Sequence, residues 1–533
     1  MEWATWFLTA AERGNPATGL DRRRGDGVAW STGNLVRPLV HGAAYFAELA
    51  AAVRGMREGD LLLFTDWRGD PDQRVDRDTT VAELLAAAAG RGVLVRGLVW
   101  RSHLDRLQFS ERENRHLGED IEAAGGRCLL DMRVRTGGSH HQKFVVLRHP
   151  GRPERDIAFL GGIDLCHSRR DDADHGGDPQ RQPMAAVYGP RPPWHDVQLA
   201  LRGPVVGDVE AVFRERWEDP QPLSRNPVHR VADRLRRDDT TARPLPPQLP
   251  DPAPAGDHAV QLLRTYPARR HGYPFAPRGE RSVARGYTKA LRRARSLVYV
   301  EDQYLWSAEI AGTFVEALRA NPRLRLVVVL PHHPDQDGRM SLPPNLVGRQ
   351  RALSMIRAAG GDRVAVYGVE NRAGTPVYVH AKVCVVDDVW ATVGSDNFNR
   401  RSWTHDSELT AAVLDTATDG RAPVDPGGHG DGARRYARGL RLTLAREHLD
   451  RADGDDTDLV APDDFFDTLA AAAAALRRWH TAGRVGPRPP GRLRPLADPP
   501  PLAARQRAWA TPLYHLVYDP DGRPRRLRRR REF

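Results

Sequence analysis

The chain is short of lysine: of 80 basic residues in 533, only Lys143, Lys289 and Lys382 are not arginine. Cysteine is scarce too, and Cys128, Cys166 and Cys384 are scattered without CxxC spacing, which argues against a disulfide framework and a cysteine-ligated zinc module. No uncharged apolar run of about 18 residues occurs, so no membrane-crossing helix is predicted. The start, MEWATWFLTAAERG, has no basic stretch before its apolar run, and Glu12 and Arg13 interrupt it, so no signal peptide is predicted. These absences lead us to expect a soluble cytoplasmic chain that could meet a membrane only peripherally.

The length favours two domains with linkers over one core. Net charge is +11, and residues 521–533 hold seven arginines against Asp521 and Glu532. That segment reads as a solvated end able to touch phosphates.

Two of the three lysines sit in matching triplets, His141-Gln142-Lys143 and His380-Ala381-Lys382. The segments leading to them also match. LLLFTDW (61–67), an alanine-rich helix (79–90), VLVRGLVW (93–100) and a polar helix (111–124) ending in AAGG give β-α-β-α before a strand that leads to His141. SLVYVEDQYLW (296–306), a helix (307–321), LRLVVVL (324–330) and a helix (347–361) containing a second AAGG repeat that order before His380. The predicted class is α/β: two duplicated α-β-α sandwich lobes with mixed, mostly parallel sheets, packed to form one active site at their interface.

The expected organisation is a helical amino-terminal segment (1–58, with an amphipathic helix over 35–55), a first lobe (59–218), a Pro/Arg-rich linker (219–257) and a second lobe (258–418). Carboxyl-terminal helices (419–485) should pack on the second lobe, and a Pro-rich and Arg-rich tail (486–533) follows.

In a strand, residues two apart face the same side, so each histidine projects with its lysine. Such a pair can bind a phosphate and either attack it or protonate a leaving group. An attacking histidine needs a carboxylate on its other nitrogen, and Asp196 in PWHDVQLAL and Glu408 in HDSELTAAV lie at matched points beyond the triplets. GSDN (394–397) offers Ser395 and Asn397 as phosphate-binding groups, and GGID (161–164) offers Gly162 and Asp164 at the same offsets. Duller roles suit the remaining candidates. His140 shapes the strand entry, His332 and His333 are turn residues, and Trp67, Trp194, Tyr304, Trp306 and Trp403 are structural aromatics. Asp66 and Glu301 either face a head group or cap loops.

This pattern resembles the phospholipase D superfamily, whose signature is HxKxxxxD followed by a GSxN element, twice in two-lobed members. The second copy is complete: His380, Lys382, Asp387, Gly394, Ser395, Asn397 and Glu408. SHHQK (139–143), AFLGGIDLC (158–166), PRPPWHD (190–196), VYVEDQY (298–304) and YVHAKVCVVDD (378–388) resemble segments of the eukaryote-type enzymes. The first copy departs, with Arg148 where the motif aspartate is expected and about six extra residues in the hairpin beyond it; Asp387 is implied to be a structural acid.

The resemblance implies hydrolysis of glycerophospholipids to phosphatidic acid and a free head group through a phosphohistidine, with transfer to alcohols as an associated activity. His141 is implied as nucleophile and His380 as acid/base, with Lys143, Lys382, Ser395 and Asn397 holding phosphate oxygens and no metal or other cofactor needed. The implied partners are phospholipid at a membrane surface and a water or alcohol acceptor. A monomer without a stable nucleic-acid partner is expected. The alternatives are a cardiolipin synthase-like phosphatidyltransferase, a nuclease of the same superfamily, or a non-catalytic adaptor using the arginine tail.

Overall fold

The computed structural model describes residues 2–24, 27–102, 111–497 and 501–533. Its amino half carries strands β1 (Ser31–Val40), β2 (Leu61–Asp66), β3 (Leu94–Trp100), β4 (Arg127–Asp131), β5 (Phe144–Arg148), β6 (Ile157–Gly161), β7 (Trp194–His195) and β8 (Val197–Arg202). The carboxyl half carries β9 (His258–Tyr266), β10 (Glu280–Arg281), β11 (Leu297–Glu301), β12 (Arg325–Val329), β13 (Val364–Glu370), β14 (Pro376–Val379), β15 (Val383–Val386), β16 (Trp390–Gly394), β17 (Glu408–Asp415) and β18 (Leu493–Pro495).

The two sheets have the same order. One runs β1-β8-β6-β5-β2-β3-β4 and the other β9-β17-β16-β15-β11-β12-β13. In each, only the last two pairings are parallel, so antiparallel pairs dominate where mostly parallel sheets were expected. The helical crossovers legible in the sequence join only β2-β3-β4 and β11-β12-β13. The HxK strands β5 and β15 instead turn back through hairpins, which forces antiparallel pairing.

Both faces of each sheet are covered. In β2, Leu62 and Phe64 pack with the helices Gly42–Arg54, Val81–Gly90 and Glu111–Ala123, while Leu63 faces the helix Val205–Trp217. The Leu63 side continues into the carboxyl lobe through Tyr299, Val327 and Val329, so one apolar core joins the lobes. Thr80 caps its helix with a reciprocal bond to Glu83.

Two expectations are corrected. Residues 35–40, read as the start of a helix, form β1, which pairs with β8 through Leu35–Val40 and with β9 through Ser31 and Asn34. Leu35 and Leu39 have helical spacing, but an edge on each of two sheets needs a strand, and the helix starts only at Gly42. The segment 521–533, read as solvated, keeps six of its seven arginines exposed but is anchored at both ends: Arg523 forks onto Glu309 (2.6 and 2.8 Å), and the Phe533 ring meets Trp403 at 5.4 Å, while upstream of it β18 pairs with β13. Carboxylate partners and aromatic contacts hold what charge alone would release. The helix Arg525–Arg530 stays exposed, and residues 498–500 of the Pro-rich stretch lie outside the described residues.

Arg148 does not disturb its hairpin: β5 and β6 pair from Phe144↔Leu160 to Leu147↔Ile157. Its fully buried guanidinium reaches Asp156 (2.8 Å) and Glu210 (2.6 Å). Asp387, at the matching place, accepts the backbone N–H groups of Arg295, Ser296 and Leu297 at 2.8, 2.8 and 2.9 Å, tying the β15 turn to the start of β11.

Candidate active site at the lobe interface

Backbone pairing between the lobes delivers the four motif residues. β14, which ends just before His380, runs parallel to β7, which ends just before Asp196. A matching parallel bridge joins His140 to Ser407, the residues before His141 and Glu408. The carbonyl preceding each acid accepts the N–H of the opposite histidine: His380 N to His195 O is 2.8 Å and His141 N to Ser407 O is 2.9 Å.

The side chains cross in the same way. His141 Nδ1 lies 2.9 Å from Glu408 Oε2, and His380 Nδ1 lies 2.7 Å from Asp196 Oδ2. Each imidazole is therefore oriented by the other lobe's carboxylate. Lys143 Nζ donates to the His141 carbonyl (3.0 Å) and faces Asp164 (3.2 Å); Lys382 Nζ donates to Gln303 Oε1 (3.2 Å) and to the His380 carbonyl. Trp67 stands edge-on to His141 at 6.2 Å, and Trp194 packs on His380 at 5.0 Å.

The electrostatics place all four groups in one centre. Burial pushes both imidazoles well below the usual histidine range, and both lysines add to the depression of each. Burial also lowers Lys382 to about 8. Glu408 is pushed up to about 8 by burial, with Asp406 adding to the shift, and burial raises Asp196.

The remaining candidates part company. Asn397 is buried and its side chain makes no hydrogen bond among the described residues, so its Nδ2 is free to donate to a phosphate oxygen while Oδ1 can only accept. Ser395 Oγ is already committed, donating to Glu408 Oε2 (2.6 Å) and accepting from Leu409 N (3.0 Å), so it positions the acid. Gly162 was expected to bind substrate, but its N–H goes to Val197 O (3.1 Å), and a Cβ there would sit 2.2 Å from Asp196 Oδ1. It makes room for the acid.

Asp164 was expected to bind substrate as well. Although burial opposes ionisation, Lys143 and Arg169 hold its carboxyl below the usual range, so it has no proton to donate to a phosphate oxygen. Asp66 caps the Trp67 and Leu165 amides, and Glu301 bonds His195 and His448. Trp403 is structural, stacked on Tyr287.

Two neighbours escaped the sequence reading. Arg169 lies 4.0 Å over the Trp194 ring and 3.4 Å from Asp164, and Gln303 holds Lys382. Gln303 falls inside VYVEDQY, but nothing in its spacing marks it. A cavity of about 880 Å³ lies among neighbouring loops, with Arg133, Arg135, Arg269, Arg400 and His405 in its wall and none of the four HxK residues.

The family model described as "Phospholipase D" matches residues 70–310, and "Cardiolipin synthase, PLD-like domain" matches 287–420. A sheet order repeated in two lobes, with one HxK pair from each at the seam, matches that pattern, and the chain belongs to the phospholipase D superfamily. Among curated proteins it is similar to phospholipase D alpha 2 of Oryza sativa subsp. japonica, 27% identical over 516 residues, covering 73% of this chain and 62% of that one. It is also similar to phospholipase D alpha 1 of Arabidopsis thaliana, 28% identical over 499 residues, covering 70% and 59%. The chain thus spans about three-fifths of the length of the curated relatives it matches. Among solved structures, a phosphatidylserine synthase of Haemophilus influenzae Rd KW20 aligns with TM-score 0.48 and 13% identity over 71% of this chain and 82% of that one.

Proposed function

We propose that this protein is a phospholipase D-type phosphodiesterase that cleaves glycerophospholipids to phosphatidic acid and a free head group. The observation that carries this reading is the reciprocal pairing of His141 with Glu408 and of His380 with Asp196. With Nδ1–H held by a carboxylate, Nε2 keeps its lone pair and can attack phosphorus.

The proposed reaction has two displacements. His141 Nε2 attacks, the bond from phosphorus to the head-group oxygen breaks, and His380, which takes up a second proton on Nε2 once the bound phosphate offsets the Lys143 and Lys382 charges that oppose it, passes that proton to the oxygen. Water then gives a proton to His380 and attacks phosphorus, and the P–N bond breaks to restore His141. Lys143, Lys382 and the Asn397 amide stabilise charge on the phosphoryl oxygens. His141 is the more exposed of the pair, 15% against 6% for its side chain, which favours it as nucleophile. No helix among the described residues is long and apolar enough to cross a membrane. We assign the protein a peripheral cytoplasmic place, with the arginines around the large cavity favouring an anionic surface.

The match of residues 287–420 to a cardiolipin synthase-type domain favours a second reading, in which a lipid alcohol replaces water as acceptor. The test is head-group release from phosphatidylcholine vesicles with and without ethanol, for wild type, His141→Ala and Lys382→Ala. Choline release with phosphatidylethanol formation supports the phospholipase; cardiolipin formation from phosphatidylglycerol without choline release supports the transferase. DNA cleavage without action on any lipid overturns both.

A further inference from the structure

Next to the catalytic centre, His41, His175, His195 and Glu447 converge from distant parts of the chain, each offering one donor atom within 4.8 Å of the others. His41 follows β1, His175 lies in a loop, His195 ends β7, and Glu447 comes from the helix Arg435–His448 of the carboxyl half. The three rings are buried, with centroids 4.8, 5.0 and 5.7 Å apart. Glu447 Oε2 is 2.8 Å from His41 Nε2, and its Oε1 is 3.0 Å from His175 Nε2 and 3.3 Å from His195 Nδ1.

For His195 and His175 the outward-facing nitrogen marks which atom is the ligand, whereas His41 Nδ1 is buried without a hydrogen bond among the described residues. A metal-bound histidine usually donates its other N–H to a carboxylate or a carbonyl. His195 Nε2 meets Glu301 Oε2 at 2.6 Å, and that carboxylate is itself held by His448 Nε2 (2.7 Å) and Tyr299 Oη (2.5 Å). His175 Nδ1 meets Trp194 O at 3.1 Å. His195 Nδ1, fully buried, has no hydrogen bond of its own. His41 and His175 also adopt φ of 71° and 53°, a strained region for non-glycine residues that here aims both rings inward.

We propose that these side chains form a structural zinc site, with His41 Nε2, His175 Nε2, His195 Nδ1 and one Glu447 oxygen as ligands. Three imidazoles and a carboxylate suit Zn(II); in a tetrahedron with donors about 3.3 Å apart, Glu447 already stands at or inside that spacing from each ring (2.8, 3.0 and 3.3 Å), and ring nitrogens as far apart as 4.8 Å would draw together around the ion. Binding displaces any ring protons on the ligating nitrogens to solvent. All four positions are protein atoms, so the metal has no open place for water and stays out of the chemistry. Its effect is on register: His195 accepts the N–H of His380 and precedes Asp196, and Glu447 ties this strand to the carboxyl half.

The test uses the full chain expressed in zinc-supplemented and in cobalt-supplemented medium. Mass spectrometry of the purified protein should find one equivalent of zinc, and the cobalt form should show the intense visible bands of tetrahedral coordination. Chelation should lower the thermal midpoint and added zinc should restore it. His175→Ala and Glu447→Gln should lose the metal, whereas His480→Gln, whose ring pairs with Glu370 outside this cluster, should keep it. Wild type that carries no stoichiometric divalent metal, gives no cobalt bands and melts identically with chelator or zinc overturns the proposal, and this result needs no variant to fold.

Discussion

His141 Nδ1 and Glu408 Oε2 are 2.9 Å apart, although 267 residues of chain and the boundary between lobes separate them. With the reciprocal bond from His380 to Asp196, this means that neither lobe holds an oriented histidine by itself. Each lobe's histidine is supported by the other lobe's carboxylate, which makes lobe packing part of the proposed chemistry.

Neutralising either acid should therefore be costly while leaving the fold intact. Glu408→Gln and Asp196→Asn should each lower kcat by about 10²–10⁴-fold, the usual span of oriented acid–base catalysis. Their pre-steady-state behaviour should differ: Glu408→Gln slows formation of the phospho-enzyme, and Asp196→Asn lets it accumulate. Acid-quenched labelling with a radioactive phospholipid, alongside circular dichroism, separates the two.

The pH profile should be narrow. Below about 8 Glu408 holds its proton and cannot fix His141 as the Nδ1–H tautomer, so the rate rises as pH passes through that value. Lys382, drawn down to about 8, is charged below that point and neutral above it, so phosphate stabilisation falls through the same range. The two limbs overlap, and kcat/KM should peak near pH 8. In Lys382→Arg the alkaline limb should vanish, because a guanidinium stays charged. A flat wild-type profile between about pH 6 and 10 would count against this assignment.

Much of the centre was legible because it occurs twice. His141, Lys143, His380, Lys382, Asp196 and Glu408 stand at matched offsets, and the copies identify one another. Which acid serves which histidine was not legible, since spacing along the chain says nothing of the parallel contact between β7 and β14. Residues 35–40 carried a helical spacing that lost to the open edges of two sheets. His41, His175, His195 and Glu447 share no motif, so only the folded chain brings them together. Lysine scarcity was informative for a physical reason: where a compact charge must reach one oxygen, arginine does not substitute.

Arg148 tests whether the signature or the packing matters. It neutralises Asp156 and Glu210 where the motif expects an aspartate. Arg148→Asp would restore HxKxxxxD yet place a third carboxylate beside two buried ones. Removing one member of a buried ion pair costs about 3–5 kcal/mol. Glu210 keeps Arg214 at 2.7 Å, so Arg148→Met should cost about 3 kcal/mol and Arg148→Asp more. Urea denaturation measures both, and a loss below about 1 kcal/mol, as for an exposed pair, would refute the account.

Gly162 provides the complementary case, because the carboxyl lobe has Ser395 at the matching position. Ser395 Oγ reaches Glu408, a side chain one methylene longer than Asp196. In the amino lobe the shorter acid takes its bonds from Val197 N (2.9 Å) and Trp194 Nε1 (3.4 Å), and its Oδ1 fills the space a serine would need. Gly162→Ser, which makes the two elements alike, should thus displace Asp196 and release His380. Overpacking of this kind costs about 1–3 kcal/mol, and kcat should fall with little change in KM, since His380 enters at proton transfer. Pairing it with Asp196→Asn should give much less than the sum of the two effects, because both act through His380. Full additivity in that double-mutant cycle would show that Gly162 serves something other than the acid.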